Sequence, residues 1–239
     1  MEISAEGLNH REINETLRNT HGDCTIINCL GERFIAAGMS SGNIVIEGIP
    51  GNALGAYLNG GTISVRGNAQ DAVGDTMNDG TIVVHGSIGD AAGYAMRGGS
   101  IYVQGDAGYR AGIHMKAYKE KVPVMVIGGV AGSFLGEYQA GGVIVVLGLG
   151  ESGRPIVGNF PCTGMHGGKM FLRTDCEGIN FPAQVTTRKA VDEDLDEIRK
   201  YVSEYCRLFV GNEDRIMSSP FTVVTPDSKN PYKQMYVAN

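Results

Sequence analysis

The sequence predicts an all-β solenoid, a single-stranded β-helix in which one chain winds into stacked coils. Two observations predict it. Four glycines, Gly42, Gly61, Gly80 and Gly99, stand 19 residues apart, and each opens the same phrase: GNIVIEGIPGNALGAYLNG, GTISVRGNAQDAVGDTMND, GTIVVHGSIGDAAGYAMRG and GSIYVQGDAGYRAGIHMKA. Each copy holds one short strand, whose apolar side can be buried only by stacking on the next copy. Glycine also supplies 36 of 239 residues, about 15% and roughly twice ordinary usage, while 42% of residues are hydrophobic. That balance excludes a disordered Gly-rich linker.

Taken in chain order, the first element is a helix, REINETLR, at whose start Asn9 and Glu12 form a variant of the capping box. Residues 1–24 are read as a helical N-terminal cap, and 25–176 as the β-helix. A loose first coil contains Cys29-Leu30-Gly31 and Ala37-Gly38-Met39. The regular strands are Ile44-Val45-Ile46, Ile63-Ser64-Val65, Ile82-Val83-Val84 and Ile101-Tyr102-Val103. Strand alternation puts the first and third of each triplet inside. The middle residues, with Glu47, Arg66, His85 and Gln104, then face outward.

A second apolar pair recurs at Ala53-Leu54, Ala72-Val73, Ala91-Ala92 and Arg110-Ala111, and a third inward site at Leu58, Met77, Met96 and Met115. Glycines at matched offsets, such as Gly55, Gly74, Gly93 and Gly112, mark corners that need positive φ or close backbone approach. The strict spacing stops at Tyr118, which stands where the next glycine is due. Looser strands follow at Val124-Met125-Val126 with Gly128, at Ile144-Val145-Val146 with Gly148, and at Met170-Phe171-Leu172 after a long turn from Leu149 to Gly168. Seven or eight coils give a stack on the order of 35 Å long.

From residue 177 the repeat is absent, and 177–239 are read as a C-terminal helix and extended tail. The helix, Asp194 to Val210, gathers Leu195, Ile198, Val202, Cys206 and Phe209 on one face. It is expected to cap the stack, because the terminal strand of a solenoid exposes an unpaired edge. The tail from Pro220 is expected to pack across the stack.

Bulk properties narrow the function. A formal charge of -6 gives no basic footprint, so nucleic acid is not an expected partner. No run reaches the roughly 18 apolar residues that span a bilayer, and MEISAEGLNHRE has neither the basic start nor the apolar stretch of a signal peptide. The five cysteines, Cys24, Cys29, Cys162, Cys176 and Cys206, are therefore read as reduced thiols in a cytoplasmic protein with no membrane association.

Motifs with chemistry are few. Gly148-Leu149-Gly150-Glu151-Ser152-Gly153 matches G-x-G-x-x-G after a strand, but Pro155, Gly158 and Pro161 leave no room for the helix a dinucleotide site requires. The acidic run from Asp192 lacks Gly at its sixth position and Glu at its twelfth, so it reads as the first turn of a helix and not as a calcium loop. The cysteine spacings do not make a zinc site. His85 reads as a surface residue, and His114 and His166 as corner residues that pack or hydrogen-bond a turn. No catalytic, cofactor-binding or metal-binding residue is assigned. The loop with Arg154, Cys162 and His166 is where a functional contact is expected, with Arg154 and His166 the candidate partner contacts.

The repeated G-x-I-x-V-x-G phrases, followed by GRPIVGNFPCTGMHGGKMFLR, resemble the GXGXG domain of glutamate synthase, the C-terminal domain of the large (alpha) subunit. The resemblance covers about residues 25–176, and REINETLR is compatible with it. It implies a right-handed β-helix without catalytic residues or a cofactor of its own. In that family catalysis belongs to a glutaminase domain with an N-terminal cysteine and to a synthase domain carrying FMN and an iron–sulfur cluster. This chain begins Met-Glu-Ile and has no room for an FMN barrel. The resemblance therefore implies a scaffold subunit of a split glutamate synthase, inactive alone, that docks glutaminase and FMN-containing synthase subunits in glutamate biosynthesis. A homo-oligomer is compatible with this. One of the subunits of formylmethanofuran dehydrogenase carries similar coils, so a β-helix subunit of that kind of oxidoreductase complex is the alternative. A stand-alone enzyme using the 149–168 loop is a further one.

Overall fold

The computed structural model describes residues 1–20, 23–150 and 153–227. Among these, nine strands stack in parallel and in sequence order: β1 (Glu2–Ser4), β2 (Cys24–Leu30), β3 (Asn43–Ile49), β4 (Asn59–Val65), β5 (Asp79–Val84), β6 (Ser100–Val103), β7 (Val124–Ile127), β8 (Ala140–Val146) and β9 (Gly167–Leu172). Each parallel neighbour needs a crossover, and the rest of each coil provides it. The sheet ends in two antiparallel strands, β10 (Val185–Lys189) and β11 (Thr222–Pro226), in the order β9-β11-β10. The helices among the described residues are α1 (His10–Thr20), α2 (Asp192–Phe209) and α3 (Glu213–Met217). The sheet thus extends beyond residues 25–176 at both ends. Among the described residues no helix is long and apolar enough to cross a membrane.

The expected solenoid core is present. The ladders Ile44-Ile63-Ile82-Ile101 and Ile46-Val65-Val84-Val103 are in register and buried. Leu58, Met77, Met96 and Met115 are buried at the third inward site. Each such side chain contributes about 1.5–3 kcal/mol by leaving water. The repeat glycines answer to the stacking itself. Gly61, Gly80 and Gly99 have φ of 82°, 92° and 77°, and a Cβ on any of them would sit 2.6–2.8 Å from the carbonyl oxygen of the glycine one rung earlier.

The apolar pairs are only partly inside. Leu54, Val73, Ala92 and Ala111 are buried, whereas their partners Ala53, Ala72, Ala91 and Arg110 stand at left-handed corners with φ between 54° and 64°, and of these only Ala53 is buried. Side chains also tie successive rungs. The Asn68 carboxamide accepts from the Ser87 N–H (2.8 Å), and Ser87 Oγ accepts from the Asp106 N–H (3.0 Å). Asp71 and Asp90 accept in the same way from Asp90 and Tyr109 (2.9 and 2.8 Å).

Tyr118 does not replace a glycine. It pairs with Lys121 inside an insertion, and Pro123 takes the glycine's place, accepting from the Val143 N–H at 2.9 Å. Val84 pairs with Val103 at the regular spacing, but Val103 pairs with Ile127, so the insertion lengthens the coil between β6 and β7. This corrects the reading of β7. Met125 and Ile127 point into the core, Val124 and Val126 point outward, and the glycine matching Gly105 is Gly129. Nor is 149–168 one long loop. Val146 pairs with Leu172, so β8 and β9 are joined by a single coil that exceeds the regular ones by a short insertion. From Val157, which bridges Ala131, the chain follows an ordinary coil that buries Val157, Cys162 and Met165.

At the N-terminal end α1 fills the first coil. Glu12 Oε2 accepts from the Asn9 N–H at 2.8 Å and Asn9 Oδ1 from the Arg11 N–H at 2.9 Å, the expected reciprocal cap. Ile13 and Leu17 lie fully buried in the main core.

The C-terminal helix departs from its expected place. α2 does not cover the end of the stack but lies along its flank, where Ile198, Val202 and Tyr205 pack on Tyr102, Val126, Val145 and Phe171 in a second core. The reason is chemical: from β5 onward the middle strand residues are Val83, Tyr102, Val126, Val145 and Phe171, whereas β4 carries Ser64. Phe209, at the far end of α2, meets the His85 ring edge-on at 5.1 Å, so His85 is half-buried and not a free surface residue. Burial and then the neighbouring Arg66 charge hold His85 below its ordinary pKa. The end of the stack is closed instead by β11, whose extended course agrees with the tail's expected path as far as Asp227.

Candidate partner-docking surface

One edge of the solenoid is built from two columns of left-handed corners. The first runs Phe34, Ala53, Ala72, Ala91, Arg110, Phe134, Phe160, and the second runs through Tyr57, Thr76, Ala95, His114 and Tyr138. Ladder hydrogen bonds hold both columns: Arg110 N–H to Ser133 O, Phe134 N–H to Asn159 O and Tyr138 N–H to Thr163 O, at 2.8–2.9 Å. Because the backbone turns here, the side chains leave the core. In the middle rungs they are small. On the last three they are Arg110 with His114, Phe134 with Tyr138, and Phe160.

These groups stack from rung to rung. Tyr109 and Phe134 lie 5.2 Å apart between ring centres, as do Phe134 and Phe160. The Arg110 guanidinium sits 4.7 Å over Tyr109 and 5.4 Å over Phe134, and its Nε donates to the buried Glu137 carboxylate at 2.6 Å. In the second column Tyr94 meets His114 edge-on at 5.8 Å, and His114 lies flat on Tyr138, 5.2 Å away with 8° between the planes. The Tyr138 ring in turn covers Gly164, where a Cβ would approach it to 2.4 Å.

Each aromatic pair contributes about 0.5–1.5 kcal/mol beyond its buried area. Much of their surface still faces solvent, with Phe160 62% exposed and Tyr94 and Tyr138 each 40% exposed. Stacked rings around a fixed arginine have the composition of protein-interface anchors. The edge supplies apolar contact, stacking and an oriented guanidinium–carboxylate pair. The corner residues named here include no serine or cysteine nucleophile.

Arg154 and His166 stand at opposite ends of their coil. Arg154, at the turn leaving β8, pairs through Nη1 with Asp106 Oδ2 at 2.9 Å. His166 immediately precedes β9, and its Nδ1 lies 3.0 Å from Gly164 O, a turn contact of the expected kind. Cys162 is buried, and desolvation pushes its thiol up to about 12, so it stays protonated. All five cysteines are free thiols. In the G-x-G-x-x-G stretch Glu151 and Ser152 lie outside the described residues, while Gly148 and Leu149 donate to the carbonyls of Gly129 and Gly128. Asp192, Glu193 and Asp194 occupy the first turn of α2.

Sequence reasoning missed the aromatic edge. The two insertions stretch the spacing from Arg110 to Phe134 and again from Phe134 to Phe160, so these corners fall off the regular period. The rung-to-rung side-chain ladder had a visible signal, since Asn52, Asp71 and Asp90 keep that period.

Comparison with known proteins gives two findings. A model of the GXGXG motif family matches residues 4–226. A protein of Methanocaldococcus jannaschii, described as uncharacterized, is 43% identical over 248 residues, with 98% of this chain and 95% of its own length covered.

Proposed function

The chain belongs to the GXGXG motif family, and from that premise we propose that it is a structural subunit of a split glutamate synthase. In this reading it docks a glutaminase subunit and an FMN-containing synthase subunit and performs no chemistry itself. The observation that carries the docking role is the exposed aromatic edge from Tyr94 to Phe160, anchored by the Arg110–Glu137 pair. Exposed rings at rigid corners lose little conformational entropy on binding, which favours them as anchors. The resemblance to the glutamate synthase domain names the partners.

The experiment is purification of the tagged chain from its native cell, with partners identified by mass spectrometry. The expected result is co-elution of a glutaminase and an FMN polypeptide, and at least tenfold weaker recovery of one of them with the Tyr138→Ser/Phe160→Ser double variant. Both substitutions fall on exposed rings, so the stack is expected to remain folded by circular dichroism. Recovery of neither polypeptide sinks the proposal, and recovery of a molybdenum or tungsten subunit instead selects the formylmethanofuran dehydrogenase alternative.

A further inference from the structure

Where the coil turns out of β8, the chain meets the segment that links α2 to α3 across a cavity of about 310 Å³. Its walls are Gly148, Leu149 and Gly150 on one side, Gly211, Asn212, Arg215 and Ile216 on the other, and Arg173 between them. Two of these residues are cations, and none of them is an acid. Neither Arg173 nor Arg215 has a carboxylate oxygen within 4.0 Å among the described residues. The nearby Glu213 carboxylate is engaged elsewhere, with Ser203 at 2.6 Å and Arg199 at 3.6 Å.

Arg173 is half-buried and held by neutral oxygens. It donates to Leu147 O, to Gly148 O at 3.1 Å and to Ser219 Oγ at 3.0 Å. Three of its five N–H groups are thereby used, and two remain for another acceptor. Ser219 in turn donates to the Arg215 carbonyl at 3.1 Å, which fixes the backbone of the second arginine against the first. The Asn212 side chain caps the Arg215 N–H at 2.9 Å, and Asn212 is part of the same cavity wall. The Arg215 guanidinium makes no hydrogen bond within the protein among the described residues. Its charge, after burial, is the second influence holding Arg173 below its ordinary pKa. Two guanidiniums facing one space repel each other, and an anion between them reverses the sign of that interaction.

We propose that this cavity is a binding site for a small oxyanion, a carboxylate or phosphate group, held by Arg215 and the free N–H groups of Arg173. Planar guanidinium forks match both geometries in a bidentate manner. Arg173 is already locked in place, so most of the ordering cost falls on Arg215 alone. The site lies apart from the aromatic edge, and it stands or falls independently of the partner-docking role.

The test is calorimetric titration of the whole chain with inorganic phosphate and, separately, with sodium L-glutamate, at fixed ionic strength in chloride. Saturable binding is expected for at least one of the two, with affinity at least tenfold weaker in Arg215→Gln. Arg11→Gln, which removes an equal charge from α1, is expected to bind as the unaltered chain does. Whichever anion saturates identifies the source of the oxyanion. The proposal is overturned if neither anion saturates, or if Arg11→Gln weakens binding as much as Arg215→Gln.

Discussion

Gly74 offers a direct measure of what the repeat glycines contribute. It sits at a left-handed corner, φ 68°, and a Cβ built there would lie 2.6 Å from Ile101 Cδ1 and 3.5 Å from Ile82 Cδ1. Gly74→Ala therefore has two separable costs. The backbone cost of a left-handed alanine is about 1–2 kcal/mol, and the fold already accepts it at Ala53, Ala72, Ala91 and Ala95. The steric cost arises because Ile101 is fully buried, so its terminal methyl group must shift against packed neighbours. Overpacking of this kind costs about 1–3 kcal/mol. The expected loss is then about 2–5 kcal/mol. For a chain of this size that lowers the melting midpoint by roughly 4–20 °C.

The steric part can be cancelled deliberately. Ile101→Val removes Cδ1 and costs about 0.5–1.5 kcal/mol alone. The double variant Gly74→Ala/Ile101→Val should therefore be less damaged than the sum of the two single changes, by about the overpacking term. Thermal and urea unfolding of the four proteins measure this coupling. Simple additivity would refute the assignment of the glycine to close packing and leave backbone conformation as its only role.

Two further outcomes follow from charge and burial. Asp194 is held below its ordinary pKa, first by the Arg188 guanidinium, which donates to its Oδ1 at 2.7 Å, and also by the Val191 N–H. A depressed carboxylate stabilises the fold above its unfolded pKa of about 3.9, and that stability is lost as pH falls through the lower folded value. Asp194→Asn is thus expected to unfold a few degrees below the unaltered protein at pH 7, with the two curves converging below about pH 4. A difference that persists unchanged in acid would contradict the pairing. For the thiols, a value of about 12 at Cys162 leaves a thiolate fraction near one in ten thousand at pH 8. Iodoacetamide followed by peptide mapping should label half-buried Cys176 first and spare Cys162 until the chain unfolds. Early labelling of Cys162 would show that the last coil opens.

The legible parts of this chain were those where one face of a strand is apolar and the other is not. Ile63-Ser64-Val65 alternates, so its inward residues could be named. Val124-Met125-Val126-Ile127 is apolar throughout, because α2 covers its outer side, and such a run carries no phase information. The inward residues expected there are off by one for that reason, and the position of α2 is hidden by the same uniformity. The insertions obscured the candidate surface in another way. A left-handed corner is defined by its place in the coil, and Phe134 and Phe160 reveal that place only once their hydrogen-bonded neighbours on adjacent rungs are known. The helix cap at Asn9 and Glu12, being local, needed no such context.

The two ends of the sheet carry a consequence for the behaviour of this protein at high concentration. A stack of parallel rungs could in principle continue into a second molecule and then a third, as a fibre grows. Here β1 has only three residues, and at the other end the strand direction reverses. Among the described residues the outermost strand there is β10, Val185-Thr186-Thr187-Arg188-Lys189, whose last four residues are exposed and include two cations. Among the described residues neither border offers a long, flat, apolar template in the parallel sense, which is how natural sheets resist edge-to-edge growth. The expected consequence is that the described stack keeps its number of rungs as concentration rises, without end-to-end growth.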